Sequence, residues 1–97
     1  IFPPEALIEI TKVFTYGENK YPSITDESGK TVLNWKKLPN AEDRLFAAGL
    51  RHAYKHRTGE ILDSESGLAH LAHATSCFTM LLQLLIEKGE VPNAGKF

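Results

Sequence analysis

The sequence has few of the features that mark secreted, membrane-spanning or DNA-binding proteins. Its single cysteine, Cys77, cannot form a disulfide within the chain and suits a reducing compartment such as the cytoplasm. The longest apolar run, residues 77–86, is interrupted by Thr79 and Gln83 and is shorter than the roughly 20 residues that a bilayer span requires. With a formal net charge of −1, the chain lacks the excess of basic residues that is typical of proteins that bind nucleic acid polymers or anionic membranes. We therefore expect a cytoplasmic domain with neither kind of partner.

Common catalytic signatures are also absent. The sequence contains no P-loop, no G-x-G-x-x-G, no C-x-x-C and no G-x-S-x-G. These patterns mark phosphate cradles, dinucleotide sites, redox centres and serine hydrolases, respectively. Any chemistry must therefore come from a less familiar arrangement of polar side chains.

Three stretches predict helices, so the chain of 97 residues is expected to form one all-α domain, a small three-helix bundle. Proline or a potential capping side chain stands at each start, and glycine follows each end. The predicted helices cover residues 4–16, 41–58 and 64–88. Turn-forming residues in segment 22–33 predict a loop or a short β-hairpin between helices one and two.

The third predicted helix is apolar nearly all round in its second half, where Leu81 and Leu84 extend the stripe formed by Phe78, Leu82 and Leu85. Helices of this kind are normally buried. A chain of 97 residues buries a smaller fraction of its surface than a larger one. We therefore expect the protein to complete its core as a homo-oligomer.

A polar stripe precedes that apolar half. Ser66, His70, His73 and Cys77 recur at intervals of four, three and four residues, which places them on one side of a helix. Two imidazoles at i and i+3 can bind one metal ion or one phosphate. The alternative is that His70 and His73 are hydrogen-bonded residues of a helix interface.

Carboxylates lie just before the two histidines. Glu60 and Asp63 supply the oxygen ligands that Mg²⁺ and Mn²⁺ prefer, and a nucleoside triphosphate needs such an ion to neutralise its charge. The interpretation is a divalent metal site formed by Glu60, Asp63, His70 and His73. The alternative is that Asp63 only caps the third helix and Glu60 only complements its dipole.

Helix two adds a second polar pair, Arg51 and His52. His52 lies at the edge of the apolar arc of helix two, and a short connection around Gly59 favours antiparallel packing against helix three. That packing would bring His52 to the acidic cluster. The Arg51 guanidinium could hold phosphate oxygens, although an exposed basic stripe is more often a solvated face.

An aromatic segment follows helix one. Tyr16, Tyr21 and Trp35 carry rings that can stack on a base, and the Lys20 ammonium can contact a phosphate. The alternative is that these rings close the end of the bundle.

Taken in order, these motifs resemble the phage-associated dATP/dGTP diphosphohydrolase N-terminal family. They are Tyr16-Gly17-x-x-Lys20-Tyr21, Asn34-Trp35, Arg51-His52 and the stretch from Gly59 to Ala74 with Glu60, Asp63, His70 and His73. The resemblance implies a helical, phage-encoded protein similar to the MazG-type enzymes, acting in the host cytoplasm. It also implies hydrolysis of deoxynucleoside triphosphates to the monophosphate and pyrophosphate with a divalent cation.

Residue by residue, the resemblance implies three sets of site residues. The catalytic residues are expected to be His52, Glu60 and Asp63. The ligands of the metal ion, Mg²⁺ or Mn²⁺, are expected to be Glu60, Asp63, His70 and His73. The substrate is expected to contact Tyr16, Lys20, Tyr21, Trp35 and Arg51. The MazG-type E-x-x-E is missing from helix two, and this favours an alternative function. In it, the same cluster binds a nucleotide or a nucleotide signal without turnover, for example to withhold it from a host defence pathway.

Overall fold

The structure, a computed structural model, describes residues 1–96 and contains three α-helices. They are α1 (Pro4–Lys20), α2 (Ala41–Arg57) and α3 (His70–Glu87). Strands β1 (Ile24–Thr25) and β2 (Thr31–Val32) and a 3₁₀-helix (Asn34–Lys37) connect α1 to α2. This arrangement confirms the predicted small helical bundle with a hairpin between helices one and two.

The hairpin forms because one side chain organises its turn. Asp26 Oδ1 accepts hydrogen bonds from the backbone N–H groups of Ser28 and Lys30, each at 3.0 Å. Gly29 adopts a φ of +86°, which favours glycine. The turn pairs Ile24 with Val32 in antiparallel register and leads the chain back toward α1.

Helices α2 and α3 form the main packing interface of the bundle. At one end of it, Phe46 of α2 lies beside Phe78 of α3, with ring centroids 6.2 Å apart. At the other, His52 of α2 contacts His70 of α3. A Cβ atom on Gly49 would lie 2.6 Å from the Phe78 ring, so glycine permits this close approach. The antiparallel pairing expected from the short connection is therefore present.

The third helix begins later than predicted. Helix α3 starts at His70 rather than residue 64, because the preceding residues form a turn of their own. Asp63 N–H donates to the Leu68 carbonyl, and Gly67 N–H donates to the Asp63 carbonyl, both at 2.8 Å. Gly67 has a φ of +73°, outside the helical region. The acids before α3 therefore lie on a loop. Helix α1, conversely, continues past Gly17 to Lys20.

The bundle buries little apolar surface. In the described part of the chain, the buried hydrophobic residues are Val13, Leu45, Ala72 and Ala74, and the fully buried side chains are those of His70 and Ser76. Many larger apolar side chains are exposed, including several on α2 and α3. None of the described helices combines the length and the apolar character needed to cross a membrane.

Candidate functional site

A cleft of about 950 Å³ opens between α1, the 3₁₀-helix, α2, the loop before α3 and α3 itself. This volume lies within the range of about 300–1,000 Å³ typical of small-molecule sites. The polar and aromatic residues that line the cleft are Phe14, Tyr16, Lys20, Tyr21, Asn34, Trp35, Lys37, Arg51, His52, Lys55, Asp63, Ser64, Glu65, His73, Ser76 and Cys77. Rings, cations and a carboxylate–imidazole cluster thus share one cavity.

The α1 side of the cleft carries two tyrosine rings around a lysine. The Lys20 ammonium lies 5.9 Å from the ring centroid of Tyr16 and 5.5 Å from that of Tyr21. It also pairs with the Glu65 carboxylate, and its hydrogen bond lowers the pKa of Glu65. Trp35, from the 3₁₀-helix, presents a third ring. A base entering here would meet aromatic rings.

Cations reach the cleft from several elements. Arg51 and Lys55 come from α2 and Lys37 from the end of the 3₁₀-helix. Lys55 Nζ lies 3.9 Å from Glu60 Oε2, a distance that gives a loose ion pair. Of the carboxylates that line the cleft, Asp63 and Glu65, the second is already paired with Lys20. The balance of charge favours a polyanionic ligand.

Three imidazoles cluster at the base of the cleft. The ring of His52 stacks on that of His73, with centroids 4.6 Å apart and planes 12° from parallel. Its Nδ1 atom lies 2.8 Å from Nδ1 of His70, which is fully buried. On the far side of the His70 ring, Nε2 lies 2.9 Å from Glu60 Oε2. His52 and His73 therefore line the cleft, while His70 and Glu60 stand behind them.

The loop before α3 fixes the remaining polar groups. Asp63 Oδ2 accepts a hydrogen bond from Ser66 N–H at 2.8 Å. Ser66 Oγ accepts one from Leu68 N–H at 3.1 Å and shares another with His73 Nε2 at 2.7 Å. Asp63 Oδ2 lies 3.9 Å from the same His73 nitrogen. The loop thus holds Asp63 and Ser66 against His73 by local hydrogen bonds.

This geometry argues against a serine or cysteine nucleophile. In a Ser–His–Asp triad, the serine and the aspartate contact opposite nitrogens of the imidazole. Here Ser66 and Asp63 both approach Nε2 of His73. Burial raises the pKa of Cys77, which keeps its thiol protonated and weakly nucleophilic.

The environment keeps the cleft imidazoles neutral. Burial, reinforced by the nearby His73 and His70, lowers the pKa of His52 to about 4. Burial also lowers the pKa of His73, although the Asp63 carboxylate opposes the shift. Burial raises the pKa of Asp63, but the hydrogen bonds from Ser66, together with the smaller electrostatic effect of His73 and His52, outweigh it and the net shift is downward. Near neutral pH the site therefore presents neutral imidazoles beside an ionised carboxylate.

The structure brings most of the sequence-predicted residues together. Eight of them line the cleft: Tyr16, Lys20, Tyr21, Trp35, Arg51, His52, Asp63 and His73. Glu60 and His70 do not, since they face each other behind His52. The side chains of His52, Asp63 and His70 place one potential ligand atom each within 4.8 Å of the others. This grouping includes His52, which the sequence had assigned to catalysis rather than to the metal.

Several cleft residues were not singled out from the sequence. Lys37, Lys55 and Glu65 line the cavity, and Ser66 fixes His73. Ser66 belonged to the polar stripe, and Glu65 lies two residues after Asp63 in the same acidic segment, so both carried a signal. Lys55 lies one helical turn after Arg51 in the basic stripe of helix two, whereas nothing in the sequence distinguishes Lys37 from other surface lysines.

The sequence was compared with known proteins. The model of the family described as dATP/dGTP diphosphohydrolase, N-terminal, matches residues 1–93. Neither a search of curated proteins nor a search of solved structures found a significant match.

Proposed function

Because the chain belongs to the dATP/dGTP diphosphohydrolase N-terminal family, we propose that it binds a deoxynucleoside triphosphate in the cleft and hydrolyses it to the monophosphate and pyrophosphate. The observation that carries this proposal is the composition of the cleft. Aromatic rings, cations and the Asp63–His52 pair line one cavity of nucleotide size. One bound nucleotide could therefore stack its base on the rings, pair its phosphates with the cations and share a metal ion with Asp63 and His52.

The donor set fits a divalent cation shared with the substrate. Mg²⁺ is usually held by one or two carboxylates together with substrate phosphates and water, rather than by a cage of protein ligands. Asp63 supplies such a carboxylate, and His52 lies beside it. An imidazole donor favours a transition-metal ion over Mg²⁺. With a pKa near 4, His52 is a poor general base at neutral pH but is already in the neutral form that ligates metals.

When bound, the cation would neutralise phosphate charge and lower the pKa of the attacking water. The protein's own groups supply the rest. The Arg51 guanidinium and the Lys20 ammonium contact phosphate oxygens and stabilise the charge that develops on them. The rings of Tyr16, Tyr21 and Trp35 hold the base. Lys20 must first break its ion pair with Glu65 before its ammonium can contact a phosphate.

Binding without turnover is the second candidate function, and the scarcity of acids in the cleft favours it. Among the described residues, Asp63 is the cleft carboxylate without a lysine partner. Glu60 is held by His70 behind the cleft wall. A protein built only to retain a nucleotide would need the rings and the cations but no second carboxylate.

One experiment separates the two functions. Purified protein is incubated with dATP, dGTP, dCTP and dTTP in the presence of Mn²⁺ or Mg²⁺. The products and the nucleotide that stays bound after desalting are then identified. We expect monophosphate and pyrophosphate in equal amounts from at least one substrate, and none after EDTA. If unaltered nucleotide is recovered in stoichiometric amount and no pyrophosphate is formed, the protein sequesters the nucleotide and does not hydrolyse it. A reducing, cytoplasmic setting suits either role.

We further propose that a second copy of the chain covers the exposed apolar face of α2 and α3. Phe46 and Leu50 lie one turn apart on α2, and Phe78 and Leu82 lie one turn apart on α3. Their side chains are 37–53% exposed, and Phe46 contacts Phe78 across the helix pair. We refer to these four residues as the apolar face. A continuous exposed surface of this kind usually marks an interface.

Light scattering coupled to size-exclusion chromatography tests the apolar face. The wild-type protein is expected to elute as a dimer or larger species, and Leu50→Glu is expected to shift it to a monomer because the charge would be buried in the interface. Leu50 is already more than half exposed in the single chain, so the monomer should tolerate the change. Ile24→Glu, on the exposed hairpin, serves as the matched control. A monomeric wild-type protein would contradict the proposal.

A further inference from the structure

A line of hydrogen bonds leads from the surface to the cleft through a buried ring. Glu60, which is partly exposed, contacts Nε2 of His70 at 2.9 Å. The fully buried His70 contacts Nδ1 of His52 through its own Nδ1, at 2.8 Å. His52 lines the cleft. The order is therefore Glu60, His70, His52 and then the ligand space.

With His70 in its neutral form, the donors and acceptors along this line follow from its first member, Glu60. An ionised carboxylate can only accept hydrogen bonds, so His70 must donate through Nε2–H. A neutral imidazole carries one N–H, which leaves Nδ1 of His70 as an acceptor. The 2.8 Å contact between the two Nδ1 atoms then requires His52 to donate through Nδ1–H. The remaining nitrogen of His52, Nε2, carries no proton.

One nitrogen of His52, Nε2, is left outside this line. The hydrogen bond of the ring within the protein uses Nδ1. Among residues 1–96, no buried side-chain nitrogen or oxygen lacks a hydrogen-bond partner. Nε2 is therefore accessible to solvent rather than trapped in the wall. Stacking on His73 holds the plane of the ring, with only 12° between the two imidazoles.

We infer that Glu60 and His70 are positioning residues that lock His52 in its Nδ1–H tautomer, so that the bare Nε2 faces the cleft as a ligand for a divalent cation. A metal-binding histidine commonly donates its other N–H to a group that fixes the tautomer. Here a second histidine stands between the ligand and the carboxylate. The use of the lone pair for a cation rests on the proposed function, whereas the tautomer is a property of the protein alone.

This inference gives Glu60 and His70 roles different from direct metal binding. Both His70 nitrogens are engaged, one by His52 and one by Glu60. A cation bound by His70 would have to break one of these contacts. His52 keeps Nε2 outside the line, and the Asp63 carboxylate takes no part in it.

The tautomer can be measured directly in the metal-free protein. Nitrogen NMR of isotopically labelled protein distinguishes a protonated ring nitrogen from a bare one, and His52→Gln assigns the signals. We expect the Nδ1–H form of His52 to predominate at pH 7.5 in the wild-type protein. Glu60→Ala removes the group that orients His70, so the mixed tautomers of an unconstrained imidazole should appear. Glu9→Ala, which removes an exposed acid paired with Lys12 on α1, should leave the spectrum unchanged.

Binding of Mn²⁺ alone, followed by calorimetry, tests the use of the lone pair. Glu60→Ala should weaken Mn²⁺ binding by about 10- to 100-fold, the usual effect of losing a group that orients a metal ligand, and Glu9→Ala should not. His70→Asn offers a rescue, because its amide oxygen can accept the His52 N–H without Glu60. It should restore the Nδ1–H form that His70→Leu loses. Glu60 is on the surface, so its variant keeps the test valid if a His70 variant does not fold.

The outcomes separate this inference from the proposed function. An Nε2–H tautomer in the wild-type protein, or an unchanged tautomer in Glu60→Ala, would overturn it. Unchanged Mn²⁺ affinity in Glu60→Ala would overturn the metal-directed role. A locked tautomer and tight Mn²⁺ binding in a protein that hydrolyses no nucleotide would uphold the inference while the proposed hydrolysis fails.

Discussion

Replacing Asp63 with asparagine is expected to slow deoxynucleoside triphosphate hydrolysis by about 100-fold or more, measured as pyrophosphate released per protein at saturating Mn²⁺. Asp63 is the cleft carboxylate that no lysine engages, and its lowered pKa keeps it ionised at neutral pH. An amide is a much weaker ligand for a hard cation than a carboxylate. Losing the charge should therefore act on metal binding and on the attacking water together.

The substitution is chosen because asparagine preserves the loop. The amide oxygen can still accept the Ser66 N–H that Asp63 Oδ2 accepts in the native protein. The backbone bonds of Asp63 to Leu68 and Gly67 do not involve its side chain. The melting temperature should change little, whereas loss of the loop would lower it.

Asp43→Asn is the matched control. Asp43 is an exposed acid in the first turn of α2 and does not line the cleft, so its variant should retain wild-type turnover. Nucleotide binding is then read from the thermal shift that a ligand of the folded state produces. A folded Asp63→Asn variant that binds nucleotide but does not release pyrophosphate would support catalysis through Asp63. Wild-type turnover in that variant would exclude this role.

How far the sequence predicts the fold depends on how local the determining interactions are. The hairpin follows from Asp26 and Gly29, which sit within the turn they create. The end of α2 follows from Gly59, whose φ of +107° ends the helix. The start of α3 was placed six residues early. The loop that displaces it depends on hydrogen bonds such as that between Ser66 Oγ and His73, seven residues away.

The candidate site shows the same limit. Spacing alone put His70 and His73 on one side of a helix, and they do share a cluster. Residues three apart nevertheless differ in direction by about 60° around a helix. That angle separates a buried ring that contacts Glu60 from a ring that lines the cleft. Which of the two faces inward depends on the register between α2 and α3, which the sequence does not specify.

Acid is expected to destabilise the fold through the histidine cluster. His52 has a folded-state pKa of about 4, against about 6.5 in an unfolded chain. Between these values the unfolded state binds more protons, so the free energy of unfolding falls as the pH falls. The contribution is fully present above pH 6.5 and is lost as the pH approaches 4. The lowered pKa of His73 acts in the same direction.

The expected loss is about 2 kcal/mol between pH 7 and pH 4, measured by urea denaturation in EDTA at fixed protein concentration. One pKa unit corresponds to about 1.4 kcal/mol, and we reduce the sum because His52 is only half-buried and solvent screens its charge. His52→Gln cannot take up a proton, so its free energy of unfolding should fall less steeply over this range. The remaining slope comes from His73 and from carboxylates with a lowered pKa, such as Asp63 and Glu65. His56→Gln, on the same helix outside the cleft, should keep the wild-type slope. Equal slopes in His52→Gln and the wild-type protein would mean that the cluster is not what limits stability in acid.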